Sequence, residues 1–166
     1  MKKKWFESPF WDETVENEFY KRLKRSKTSF HRAQYMRIQA SHLLDNDEKN
    51  QQNKGIELIN KVINEFSDDY YNVMLAHITI GSYYRRVGQY NDAIKHFEIV
   101  IEYNTTATMR FDIPEMLIAM TIIEAGDKSN YKYGLELMKK VDPRKLFVPE
   151  LKKRYFETLN ILIGNN

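Results

Sequence analysis

The chain has no cysteine, only four prolines and six scattered glycines, and each shortage removes a class of protein. Without cysteine there is no disulfide framework, no thiolate nucleophile and no cysteine ligand for a metal. The glycines build no phosphate-cradling loop and flank no nucleophile elbow, and no paired-carboxylate motif stands out. No apolar run approaches the ~20 residues of a membrane helix. No segment shows a convincing two-residue alternation of a strand. The opening, MKKKWFESPFWDE, carries the lysines of a secretory signal with no apolar run behind them. A cytoplasmic setting is therefore expected, with no membrane partner, no cofactor, no metal and no enzymatic activity.

What is present is helical periodicity. The stretch MLAHITIGSYYRRVGQYNDAIKHFEIVIE, residues 74–102, places Ile80-Gly81, Tyr84, Gly88, Tyr90, Ala93 and Phe97 at the spacing of a tetratricopeptide repeat (TPR). Gly81 and Ala93 are small where two antiparallel helices must approach, and Ile80, Tyr84, Ile94, Phe97 and Ile101 fill the space beside them. Gly88 stands where the first helix must stop in a left-handed backbone, and Asn91 or Asp92 can begin the second. Two departures are His77 at a place usually taken by a large aromatic, and the lack of a proline ending the second helix.

A lone hairpin cannot bury its apolar face, so neighbours are required. Upstream, residues 32–44 (RAQYMRIQASHLL) and 54–66 (KGIELINKVINEF) read as a degenerate hairpin joined by the polar DNDEKNQQN, with Gly55 standing where Ala93 stands. Downstream, residues 114–125 (PEMLIAMTIIEA) are apolar nearly all round, Gly126 repeats the stop of Gly88, and residues 133–141 close a third hairpin. Asp12 caps a first helix over residues 12–27, and Pro149-Glu150 open a last one reaching 163, with Leu151, Tyr155, Leu159 and Leu162 along one side. The expectation is one all-α domain, a TPR-like α-solenoid of three hairpins (32–66, 74–103, 114–141) between terminal capping helices.

Function is read from faces. First helices of stacked hairpins line the concave side, which would present Gln34, Arg37 and Ser41, then Ile78, Ser82 and Arg85, then Met116 and Met120. Such a groove suits a protein or peptide with an acidic end and an apolar anchor, unless the terminal helices cover it. The asparagines of a carboxylate clamp for chaperone tails are missing. Tyr84 is core by the repeat pattern and Tyr83 faces elsewhere, while the loop 104–113 is long enough for a contact loop.

Charge is uneven: ten Lys and Arg against five Asp and Glu in residues 1–37, eight against fourteen in 38–130, eight against four in 131–166. Lys21, Arg22, Lys24, Arg25 and Lys27 form a polyanion contact in the functional reading and the solvated side of an amphipathic helix in the bland one, which is favoured. Nucleic acid is thus the weaker partner, and self-association through an uncapped solenoid end is another. Of the histidines, His31, His42, His77 and His96, no pair has zinc-hydrolase spacing; His77 reads as structural and His96 as lying on a polar helix side. Asp45, Asp47 and Glu48 open like a calcium loop, but Asn50 and Ile56 occupy its glycine and glutamate places.

Beyond the repeat, WFESPFWDETVENEFYKRLKRSK, FHRAQYMRIQASHLL and IELINKVINEF together resemble uncharacterised bacterial TPR-containing proteins. The resemblance implies the helical-repeat fold and a bacterial cytoplasmic setting. It leaves a non-enzymatic adaptor or regulatory scaffold as the leading expectation, and a dedicated inhibitor or immunity-type partner of one protein as the alternative.

Overall fold

The computed structural model describes residues 4–106 and 113–164. The described residues form eight α-helices, two short 3-10 turns and no strand: α1 Glu13–Leu23, α2 Ser29–Leu44, α3 Lys49–Glu65, α4 Tyr70–Arg86, α5 Tyr90–Thr106, α6 Ile113–Glu124, α7 Tyr131–Met138 and α8 Pro149–Gly164. Contacts divide the chain into two compact units, residues 1–83 and 84–166.

Helix starts follow from side-chain acceptors. The Asp12 carboxylate accepts from Val15 N at 2.8 Å and Thr28 Oγ1 accepts from His31 N at 3.2 Å, each satisfying an orphan donor of a first turn. Helix ends follow from glycine. Gly88 and Gly126 have φ of +78° and +66°, and both complete the paired bonds of a Schellman motif. Gln89 N donates to Tyr84 O and Gly88 N to Arg85 O; Asp127 N donates to Ile122 O and Gly126 N to Ile123 O.

In the first unit α2 and α3 pack closely along Ala33, Met36, Ala40 and Leu43 on one side and Leu58, Ile59 and Val62 on the other, all buried. Gly55 makes that approach feasible, since a Cβ there would meet Leu44 Cγ at 2.8 Å and Ala40 O at 3.0 Å. Phe19 of α1 is buried, with the Trp11 ring 5.1 Å away. The Lys61 ammonium of α3 donates to the Tyr20 hydroxyl at 2.8 Å.

Several boundaries differ from the sequence reading by two to five residues, α2 and α4 starting earlier and α7 ending sooner, and two of the shifts move candidate residues. α1 ends at Leu23, so Lys24, Arg25 and Lys27 lie in the turn before α2 rather than on a helix. α3 begins at Lys49, so half of the polar DNDEKNQQN is helical, and Gln51 within it is buried. Tyr83 is also corrected: it is 2% exposed, with its hydroxyl donating to Gln52 Oε1 at 2.9 Å.

In the second unit α6 packs on α5, α7 and α8. Its core joins Phe97 with Met116, Ile118 and Ile122, and continues through Met138 to Leu162. Each such side chain contributes about 1.5–3 kcal/mol by leaving water. α8 buries Tyr155, Thr158 and Leu162 on one side and leaves Phe156 and Ile163 exposed on the other.

Candidate functional site

In the first unit, one of the sequence-selected residues, Arg37, lies near an aromatic pair formed between α2 and α4. Phe30 and Tyr71 open the two helices, 41% and 45% exposed, with ring centres 6.1 Å apart. Asn72 ties the helices together: its Nδ2 donates to Phe30 O at 3.3 Å and to Asp69 Oδ2 at 2.8 Å, while Asp69 Oδ1 accepts from Asn72 N. Residues 30, 34, 37 and 41 recur on one side of α2 by helical spacing, so Gln34, Arg37 and Ser41 follow Phe30. All three are half-buried, as is Ile78, and Ser82 is exposed.

Arg37 is the chemically distinctive member. Its Nε lies out of water with no hydrogen-bond partner among the described residues. Burial pushes the guanidinium below its ordinary pKa, and the nearby Tyr71 and Asp69 pull it partly back. An arginine stays charged through such a shift, so the site holds a cation whose donor has lost water without gaining an acceptor, which is costly. An incoming carboxylate would supply the missing acceptor.

The second unit places its selected residues differently. Arg85 is committed to Glu124, donating from Nε and Nη2 at 2.6 and 2.5 Å. Met116 is 1% exposed and fills the core, which removes it from any binding surface; Met120 is half-buried against that core. His96 is not on a polar side: it is half-buried, its ring stacked on Tyr84 at 5.6 Å. The expected contact loop has its first three residues inside α5, and residues 107–112 lie outside the described residues.

The basic residues Lys21, Arg22, Lys24, Arg25 and Lys27 are all exposed. Arg22 Nε donates to Glu18 at 2.6 Å, and Lys21 Nζ lies 3.9 Å from the same carboxylate. Local pairing of this sort at i, i+3 and i, i+4 is screened by water and supports the helix only weakly. Arginine therefore holds the Glu18 carboxyl below its usual pKa. His77 is buried. Among the described residues no three His, Asp or Glu side chains come together as a metal site, and no helix is long and apolar enough to cross a membrane.

Three polar residues escaped the sequence reading. Gln39 is fully buried; its Oε1 accepts from Ser8 N at 3.1 Å and its Nε2 donates to Ser8 O at 2.6 Å. Gln51 does the same for Trp11, accepting from N at 2.6 Å and donating to O at 3.4 Å. Asn46 Nδ2 donates to Pro9 O at 2.7 Å. The signal for Gln39 was present, a polar residue in the apolar row of Met36, Ala40 and Leu43.

Comparison of the chain with protein-family models, with curated proteins and with solved structures gives no match.

Proposed function

We propose that the chain is a non-enzymatic adaptor or regulatory scaffold that takes a protein or peptide partner on the α2–α4 face of its first unit, with its helices stacked as TPR-like hairpins. The stacking is supported by the two glycine-stopped helix ends and by the small Gly55 where α2 meets α3. The observation that carries the binding reading is Arg37, a half-buried cation with an unused donor beside the exposed Phe30–Tyr71 pair. That combination favours an acidic group, held by the guanidinium, next to an apolar side chain lying on the rings. A single dedicated partner, as for an inhibitor or immunity-type protein, would use the same face.

The test is recovery of partners by the tagged chain from nuclease-treated native lysate, washed at high salt. One stoichiometric protein is expected, and Arg37→Gln combined with Tyr71→Ala should lose it while the circular dichroism spectrum stays unchanged. Undiminished recovery by the double variant would remove the face from the reading. Loss of all recovery on nuclease or salt treatment would favour the exposed run Lys21 to Lys27 and a polyanion instead.

A further inference from the structure

The geometry points to a peptide-binding site in the first unit that reads the backbone of a bent, non-helical segment and is filled, in this chain, by its own residues 8–11. A side-chain carboxamide presents the same donor and acceptor as a peptide group. Glutamine can therefore pair with both polar groups of one residue, as a neighbouring strand would. Gln39 does so with Ser8, and Gln51 with Trp11. Between them Asn46 takes the carbonyl of Pro9, a residue with no N–H to satisfy. Phe10 N and O are both bonded to the Ser8 hydroxyl. Every backbone N–H and C=O from Ser8 to Trp11 thus has a side-chain partner, two of them from Ser8 itself.

Apart from the Ser8 hydroxyl, which satisfies Phe10 from within the segment, recognition of this kind does not depend on the side chain carried at position 10. Phe10 is 56% exposed. Selectivity falls instead on the two buried aromatics, Phe6 at 8% and Trp11 at 6% exposure. The ligand class is a peptide bent at a proline, with an aromatic residue, a serine two places after it and a tryptophan five places after it. The amides that grip it stand on α2 and α3 and at their junction, elements whose own hydrogen bonds do not involve the segment. Release therefore breaks no helix, but it leaves buried amides in want of partners, which draws in a replacement. A partner protein presenting that pattern would displace the cis segment. The site uses other residues than the α2–α4 face, and either can fail without the other.

Two measurements on the full chain decide it. Amide hydrogen exchange should show Ser8 and Trp11 opening together, about a hundredfold more often than Ala40 and Ile59. A fluorophore-labelled, acetylated and amidated peptide of residues 4–12 should bind the full chain saturably. It should bind about tenfold more tightly once Trp11→Ala has weakened the cis occupant, and lose binding when Gln39→Leu and Gln51→Leu are added. Exchange of Ser8 and Trp11 only with the core, or a peptide that never saturates the full chain, would make the segment a fixed part of the fold and overturn the proposal. The exchange result stands on the unmodified protein even if Trp11→Ala does not fold.

Discussion

Arg85 and Glu124 meet through two parallel hydrogen bonds, guanidinium Nε and Nη2 to the two carboxylate oxygens, joining the end of α4 to the end of α6. The side chains are 15% and 46% exposed. Bidentate geometry strengthens the pair, and the wet carboxylate weakens it. Glu124→Ala should therefore cost about 1 kcal/mol, well short of the roughly 3–5 kcal/mol for breaking a buried pair. Urea unfolding of Arg85→Ala, Glu124→Ala and the double variant gives the coupling directly. It should shrink in high salt. With Arg85 already engaged, its loss should lower stability and leave partner binding on the first unit unchanged.

Two glycines on buried helix faces should respond oppositely to alanine. At Gly55 the added Cβ meets Leu44 Cγ at 2.8 Å and a backbone oxygen, Ala40 O, at 3.0 Å. Overpacking costs about 1–3 kcal/mol and the gain in helix propensity returns at most about 1. Gly55→Ala should destabilise by about 1–2 kcal/mol. At Gly134 the nearest atom is Leu162 Cδ2 at 3.4 Å, the far end of a flexible side chain. Gly134→Ala should be neutral or stabilise by up to about 1 kcal/mol. Chemical denaturation of the two variants side by side checks the sign.

These cases show which parts of the fold a sequence can disclose. Helix positions came through because apolar residues recur at helical spacing and because Gly88 and Gly126 stop helices by a local backbone requirement. The start of α3 did not, since Lys49 to Asn53 are polar and the reason they are helical and partly buried lies forty residues away, at Trp11. Tyr84 packs against the core of the second unit as its spacing predicts, and Tyr83 differs for another reason. α4 buries Asn72, Val73, Met74, Ala76, His77, Ile80, Gly81 and Tyr83, nearly all the way round, so periodicity does not disclose that Tyr83 is buried too. Of the candidate residues, Arg37 stands out through its burial and missing acceptor, and Met116 drops out through its burial. Neither property is a function of spacing alone.

Tyr83 offers a test of the polar contacts inside the first unit. Its hydroxyl donates to Gln52 Oε1 at 2.9 Å and accepts from Lys49 Nζ at 3.1 Å. Tyr83→Phe keeps the ring and strips Gln52 of a donor, which should cost about 1–2 kcal/mol. Tyr83→Ala also empties a fully buried site and should cost about 3–5 kcal/mol. Lys49→Ala, at an exposed residue, should cost less than either. Equal stability of Tyr83→Phe and the parent in urea would mean the hydroxyl is solvated in both states.

His96 gives the second unit a pH dependence whose sign follows from its surroundings. Burial pushes the imidazole below its ordinary pKa of 6.5; Asp92 works against the shift and Lys95 adds to it. Its ring lies on Tyr84. With the folded pKa under the unfolded one, the unfolded chain binds the proton more readily throughout the interval between them. The contribution of His96 to stability is complete above the unfolded pKa and is lost progressively as pH falls from about 6.5 through the folded value. Unfolding free energy measured from pH 8 to pH 5 should therefore decline on the acid side, and His96→Phe, which keeps a flat ring against Tyr84 but cannot titrate, should flatten that part of the profile. An unchanged decline in the variant would assign the acid sensitivity to other groups and return His96 to solvent.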